Sequence, residues 1–170
     1  QIGNYDMALS YYFQSLAIYK KYSLQSQEAD ALNGIGLLYY GIQEYEQALV
    51  YLDQSLRIRE NNGNVRAMGS SYNNLAAVYR DMGNEDKAEV YLHNYLAISS
   101  ELNDHRGIAG AYSNIGGIFK KRNDLDSSNY YYLKSLELFE ALNDQSNIGL
   151  VSTNLGISNV TTPWELSSFV

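Results

Sequence analysis

Residues 111–121 read AYSNIGGIFKK. Apolar residues recur there at helical spacing, yet Gly116 and Gly117 stand side by side in the middle. Each glycine in a helix interior costs roughly 1 kcal/mol relative to alanine. Forty residues earlier the pair Ile115-Gly116 reads Leu75-Ala76, forty before that Ile35-Gly36, and forty later Leu155-Gly156. Three residues after each small residue come Tyr39, Tyr79, Phe119 and Asn159, and three before each apolar one come Leu32, Tyr72, Tyr112 and Ser152. A second series keeps the same period: Ala8, Ala48, Ala88, Ser128 and Ser168, followed four residues on by Tyr12, Leu52, Leu92 and Tyr132. Two phase-locked series make the chain an internal repeat.

These residues resemble the tetratricopeptide repeat, whose pattern is W-x2-L-G-x2-Y, then A-x3-F, then P, on a helix–turn–helix unit of about 34 residues. Tyr112-x2-Ile115-Gly116-x2-Phe119 and Ala88-x3-Leu92 follow that pattern. The tryptophan is replaced by Leu, Tyr or Ser, the closing proline is absent, and each unit is about six residues longer than the family's. The longer period is similar to the variant found in Partner-of-Inscuteable-type scaffolds and bacterial signalling proteins. The resemblance implies an all-α solenoid of about four repeats with truncated ends, wound as a right-handed superhelix. It also gives the small residues their role. Gly36, Ala76, Gly116 and Gly156 are expected where one helix lies closely against another, the lost helix propensity being outweighed by burial at about 25 cal/mol per Å².

The periodicity predicts a first helix B over 4–21 and then alternating helices A and B over 26–40, 44–61, 65–81, 84–101, 105–121, 125–141 and 145–159. These group as repeats 26–61, 65–101 and 105–141 in a single array over 1–170. Gly63, Gly83, Asn103, Asn123 and Asn143 supply left-handed-tolerant residues at the turns. Thr162-Pro163-Trp164-Glu165 reads as an N-cap, proline at N1 and a capping-box glutamate, so a partial next helix is expected over 163–170. Natural arrays usually end in polar caps, and the phase of both ends predicts a piece of a longer protein.

Composition excludes several classes. The 170 residues carry 45% hydrophobic and 18% charged content, those of a globular chain. A formal net charge of −7 speaks against nucleic acid and against an anionic membrane surface. No apolar run is long enough for a transmembrane helix, no secretory-type start is visible, and there is no cysteine. A cytoplasmic setting is the expectation. His93 and His105 have no partner at catalytic or metal spacing, and no H-E-x-x-H occurs. NGIGLLYYG lacks the third glycine in register, and DMGNEDKAE lacks the glycine a calcium loop needs at its sixth place. No cofactor, metal or enzymatic activity is expected. Asn159-Val160-Thr161 fits a glycosylation triplet inside a predicted helix.

Function is therefore sought on the face of helix A opposite the core, which in this family's superhelix lines the concave groove. Two before the small residue stand Gly34, Asn74, Asn114 and Asn154, and three before it Asn33, Asn73, Ser113 and Thr153. An asparagine amide pairs with both groups of a peptide unit, so a ladder of them holds an extended backbone. Related peptide-binding repeats use asparagines there, and the resemblance transfers that role to Asn74, Asn114 and Asn154, with Gly34 breaking the ladder. Ala77 and Gly117 leave space in the groove floor. Tyr40 is a candidate groove aromatic. Arg80, Lys120 and Lys121, with Arg66 and Arg106 near the starts of their helices, would favour an acidic peptide. Polar residues on a solvated face also need no ligand, and a ladder can be a leftover of duplication. The expected function is a non-enzymatic scaffold for a protein or peptide. The alternatives are a ligand-sensing regulatory domain, or end-to-end self-association through Ile2, Met7 and Leu9 at one end and Leu155, Trp164 and Phe169 at the other.

Overall fold

Every twenty residues the backbone crosses into the left-handed region and reverses. The middle residues of these turns are Ser23, Gln43, Gly63, Gly83, Asn103, Asn123 and Asn143, with φ between 52° and 79°. At each, the left-handed residue's N–H bonds the carbonyl three back and the next N–H the carbonyl five back, as in Gly83 N to Arg80 O at 3.1 Å and Asn84 N to Tyr79 O at 2.8 Å. This pair of bonds satisfies carbonyls that a helix end leaves orphaned. The residue after each left-handed position caps the next helix. Asn64, Asn84, Asp104, Asp124 and Asp144 do so with side-chain oxygens, whereas Leu24 and Glu44 make no such bond. Composition had marked five of the seven turns. Ser23 and Gln43 escaped because neither residue favours positive φ, and each stands there at a cost of about 1 kcal/mol.

The computed structural model describes residues 2–156, and side chains from residue 5. Between the turns lie eight helices among the described residues: α1 (Ile2–Lys21), α2 (Gln25–Gly41), α3 (Tyr45–Asn61), α4 (Val65–Asp81), α5 (Glu85–Glu101), α6 (His105–Lys121), α7 (Leu125–Ala141) and α8 (Gln145–Leu155). The described chain is all-helical, in a repeated helix–turn–helix arrangement. The first seven helices lie within one or two residues of expectation, the ordinary uncertainty of helix ends. Helix α8 is shorter than expected. It stops at Leu155, and Gly156 takes φ 75° as its left-handed cap. The expected stretch 157–159, the partial helix over 163–170, the sequon at Asn159 and Ser168 lie outside the described residues.

The chain falls into two compact units, Gln1–Ile98 and Ser99–Val170. In the first, Leu16, Ala31, Leu32 and Ile35 form one cluster and Ala48, Leu52, Leu56, Leu75 and Val78 another. In the second, Ala109, Tyr132, Leu136, Phe139 and Val151 form the core. Small residues sit where the helices meet. A Cβ on Gly36 would lie 2.7 Å from Leu52 Cγ, and one on Gly116 would lie 3.0 Å from Tyr132 Cδ1. Ala48, Ala88 and Ser128 are buried, and Ser128 Oγ donates to Gly116 O at 3.0 Å. Ala8 is only half-buried. Gly156 departs from its expected packing role: among the described residues a Cβ there meets nothing within 4 Å. Its glycine serves the positive φ of a helix end rather than close approach.

Serines fasten two of the helix pairs: Ser55 Oγ donates to Ala29 O at 2.7 Å, and Ser135 Oγ to Ala109 O at 2.8 Å. At the corresponding place in the middle repeat stands Tyr95, opposite Gly69 rather than an alanine. A Cβ on Gly69 would lie 3.6 Å from the Tyr95 ring and 3.1 Å from Ile98 Cγ2, so the larger side chains are matched by a smaller one.

Candidate functional site

In the first unit α2 and α4 bring the expected polar residues together in pairs offset by one position per repeat. Asn74 Nδ2 donates to Asn33 Oδ1 at 3.0 Å, and both amides are half-buried. This contact occupies one donor and one acceptor lone pair. The Asn74 carbonyl, its second N–H and the Asn33 amino group lie outside it. Asn73, beside Asn74, is half-buried too. Gly34 interrupts the ladder, and a Cβ there would lie 2.5 Å from the ring of Tyr12, itself an exposed side chain.

The same offset joins Tyr40 to the end of α4. Its hydroxyl donates to Asp81 Oδ2 at 2.5 Å, while Arg80 Nε donates to Asp81 Oδ1 at 3.0 Å. Burial, then the bond and charge of Asp81, hold the Tyr40 hydroxyl above its usual range. Arg80 was expected as a cation for an acidic ligand, but here its charge is already balanced by Asp81. Spacing missed that partner because i and i+1 residues of a helix do not share a face.

In the second unit Asn114 and Asn154 are half-buried and Lys120 and Lys121 exposed. Lys120 Nζ donates to Asn154 O at 2.7 Å, in the last turn of α8, where orphan carbonyls favour a cation. Arg106 is exposed and pairs with Asp144 at 3.3 Å. It begins α6 while Lys120 ends it, about 21 Å apart at 1.5 Å per residue. Arg66, also exposed, stands in the same relation to Arg80 on α4. On its own helix, each helix-start arginine therefore stands apart from the helix-end cations. Beside Lys120 opens a cleft of about 340 Å³, lined further by Leu125, Ser128, Asn129 and Thr153 to Gly156.

Sequence reasoning missed a further series. Tyr51 stacks on Tyr39, Tyr91 on Tyr79 and Tyr131 on Phe119, each at 5.5 Å between centroids and within 8° of parallel. The signal was present in Tyr11, Tyr51, Tyr91 and Tyr131, four tyrosines at the repeat period. Such offset pairs add about 0.5–1.5 kcal/mol beyond area burial. Tyr91 also tilts against Tyr72 at 6.1 Å. Burial, then the Asp53 charge and the Tyr79 and Tyr72 hydroxyls, push its pKa up to about 12. The raised value means the folded state holds this proton over a pH range in which the unfolded chain has lost it. Its contribution is full below pH 10 and is lost as pH rises toward 12. Denaturation midpoints measured across that window should fall with pH, and Tyr91→Phe should flatten the fall.

A family model described as tetratricopeptide repeat matches residues 1–61 and 67–141. The chain belongs to the tetratricopeptide-repeat family. Solved structures agree with that fold. Aspartyl phosphate phosphatase F from Bacillus subtilis superposes with a TM-score of 0.82 at 17% identity, over 98% of this chain and 44% of that one. BtubC from P. vanneervenii gives 0.76 at 22% identity, over 83% and 59%. A Rap protein complexed with Competence and Sporulation Factor gives 0.71 at 22%, over 78% and 37%. The chain thus spans 37–59% of the length of these structures, and identities this low establish a shared fold alone. No curated protein matches the sequence. Among the described residues of this tetratricopeptide-repeat chain, no cluster of His, Cys, Asp and Glu could hold a metal ion, and no helix is long and apolar enough to cross a membrane.

Proposed function

We propose that the chain is a binding scaffold that holds an extended peptide, or an extended segment of a partner protein, against the exposed faces of its A helices. The observation that carries this reading is the Asn33–Asn74 amide pair, half-buried and oriented by a mutual bond. Ordered amides pay little entropy on meeting a peptide backbone, and their remaining donors and acceptors fit both groups of a peptide unit. A ligand carboxylate at Arg80 would have to compete with Asp81, so backbone recognition takes precedence over charge in the first unit. The reading is of a non-enzymatic module, as sequence spacing suggested. A protein of the same fold, the Rap protein solved in complex with Competence and Sporulation Factor, is consistent with this reading.

A peptide-array screen on this chain, repeated with Asn33→Ala plus Asn74→Ala, tests the proposal. Bound peptides should lose about tenfold in affinity in the double variant, the scale of one to two net hydrogen bonds. Equal binding by both proteins, or no binding to the parent chain, would overturn it. A second reading has its own support: α1 exposes Met7, Tyr11 and Ile18, and Tyr11 is 63% exposed where its counterparts are stacked. Self-association through α1 would appear as a concentration-dependent mass in sedimentation, relieved by Tyr11→Ser.

A further inference from the structure

Helix α1 is uncharged along most of its length. No Asp, Glu, Lys or Arg occurs from Met7 to Tyr19, between Asp6 at one end and Lys20 and Lys21 at the other. The same registers in the other B helices carry charge: Asp53, Arg57 and Arg59 in α3, Lys87 and Glu89 in α5, Lys134 and Glu137 in α7. Met7 itself stands where those helices have Gln47, Lys87 and Ser127. The apolar character of α1 is therefore its own and does not come with the repeat. Leu9 and Leu16 face inward, against Ala31, Leu32 and Ile35. At about 100° per residue, Met7, Tyr11, Gln14 and Ile18 fall together on the opposite face. Met7, Tyr11 and Ile18 are each more than half exposed. Gln14 is exposed as well, its amide donating to Ser10 Oγ at 3.2 Å. Steps of four, three and four residues are the spacing of a coiled-coil seam. Ala8, Ser10, Ser15 and Ala17 flank this ridge, all small enough for a second helix to approach closely.

We propose that α1 is a self-association helix, pairing antiparallel with α1 of a second copy about a two-fold axis. Met7 then meets the partner's Ile18, and Tyr11 the partner's Gln14. The pattern is self-complementary, as a two-fold interface requires. Charge sets the direction. An antiparallel pair brings Asp6 to the end where the partner's Lys20 and the partner's Lys21 stand, whereas a parallel pair sets like charges side by side. Lys20 reaches Glu28 at 3.9 Å and Lys21 lies over the Tyr22 ring at 5.5 Å, contacts that leave donors on both ammonium groups. Gln14 is the one polar residue of the seam, a device that fixes register at a cost in strength. Four layers make a small interface, so the pair is expected to be weak and to dissociate on dilution. The proposal rests on the self-association reading above, gives it an orientation and a register, and is independent of peptide binding.

Sedimentation of the chain over a concentration series reads the pairing. Met7→Lys plus Ile18→Lys changes two exposed side chains and should weaken the dimer about tenfold or more, with unchanged helical circular dichroism showing that the variant is folded. Cross-linking reads the orientation. The chain has no cysteine, so an introduced one reports alone. Met7→Cys mixed with Ile18→Cys should give a covalent dimer of the two on treatment with a short bismaleimide. Neither variant should link to itself, because the Met7 and Ile18 layers lie about 16 Å apart along the helix. Asp6→Lys should weaken the pair about threefold, the scale of an exposed ion pair, and adding Lys20→Glu with Lys21→Glu should restore it. A chain that stays monomeric at every concentration overturns both the pairing and the self-association reading. A dimer in which Met7→Cys links to itself, in which the mixture does not link, or which the two lysine changes leave intact, overturns the antiparallel α1 pair and leaves self-association to another surface.

Discussion

Arg59→Ala should destabilise the first unit by about 3 kcal/mol, while Arg59→Met should stay within about 1 kcal/mol of the parent chain. Arg59 is 5% exposed, in α3, and its guanidinium reaches two other helices. Nη1 donates to Ser71 Oγ at 2.7 Å and Ala67 O at 3.1 Å on α4, and Nη2 to Asp30 Oδ1 at 2.8 Å on α2. Alanine and methionine both remove the donor to the Ser71 hydroxyl, but alanine also leaves a cavity. Methionine refills most of the volume and removes a buried charge that is incompletely satisfied, since Arg59 Nε has no hydrogen-bond partner among the described residues. Asp30→Ala tests the ion pair itself. The Asp30 side chain is 67% exposed and the arginine side chain 7%, so water screens one partner only. The expected cost is about 2 kcal/mol, below that of a fully buried pair but well above the 0.5 kcal/mol typical of surface changes. In an Arg59→Met background the same substitution should cost nearly nothing. Urea denaturation of the four proteins gives the coupling directly. Equal costs of Asp30→Ala in both backgrounds would show that the pair contributes nothing.

What could be read in advance was whatever the repeat keeps constant. Gly36, Ala76 and Gly116 share a register and a chemistry, so period alone placed the helices and their contacts. Arg59 occupies the register of Tyr19, Ser99 and Phe139, four residues with no common chemistry, and a search for recurrence passes over it. The site was legible to a similar degree. Asn33 and Asn74 were both picked out, but their bond runs between the −3 residue of one repeat and the −2 residue of the next, an offset that column-by-column reading does not show. Asp81 was invisible for a related reason: its counterparts are Gly41 and Lys121, so nothing marked it as the partner of Tyr40 and Arg80. Gly156 was assigned by register to a packing role that its backbone does not take up. Position in a repeat predicts contacts only while the helix that bears it continues.

The two adjacent glycines of α6 should respond to alanine with opposite signs. Gly117→Ala places its Cβ 3.5 Å from the Tyr132 hydroxyl and, among the described residues, meets nothing else within 4 Å. The gain in helix propensity is then unopposed, and the variant should be more stable by about 1 kcal/mol. Gly116→Ala gains the same propensity but drives a Cβ to 3.0–3.1 Å from three atoms of the Tyr132 ring. That ring is 2% exposed, within the cluster of Ala109, Leu136, Phe139 and Val151, and has nowhere to withdraw. Overpacking costs about 1–3 kcal/mol, so the net result should be a loss of about 1 kcal/mol. The middle repeat supplies the rescue. There the same register carries Ala76 with Leu92, both buried at 2% exposure, so the middle repeat accommodates an alanine and a leucine at these places. Gly116→Ala combined with Tyr132→Leu should therefore be more stable than the sum of the two single changes by about 1 kcal/mol or more. If Gly116→Ala stabilises the chain as Gly117→Ala does, the glycine at the repeat's small position is not set by close packing in this unit, and the ring of Tyr132 yields more readily than its burial implies.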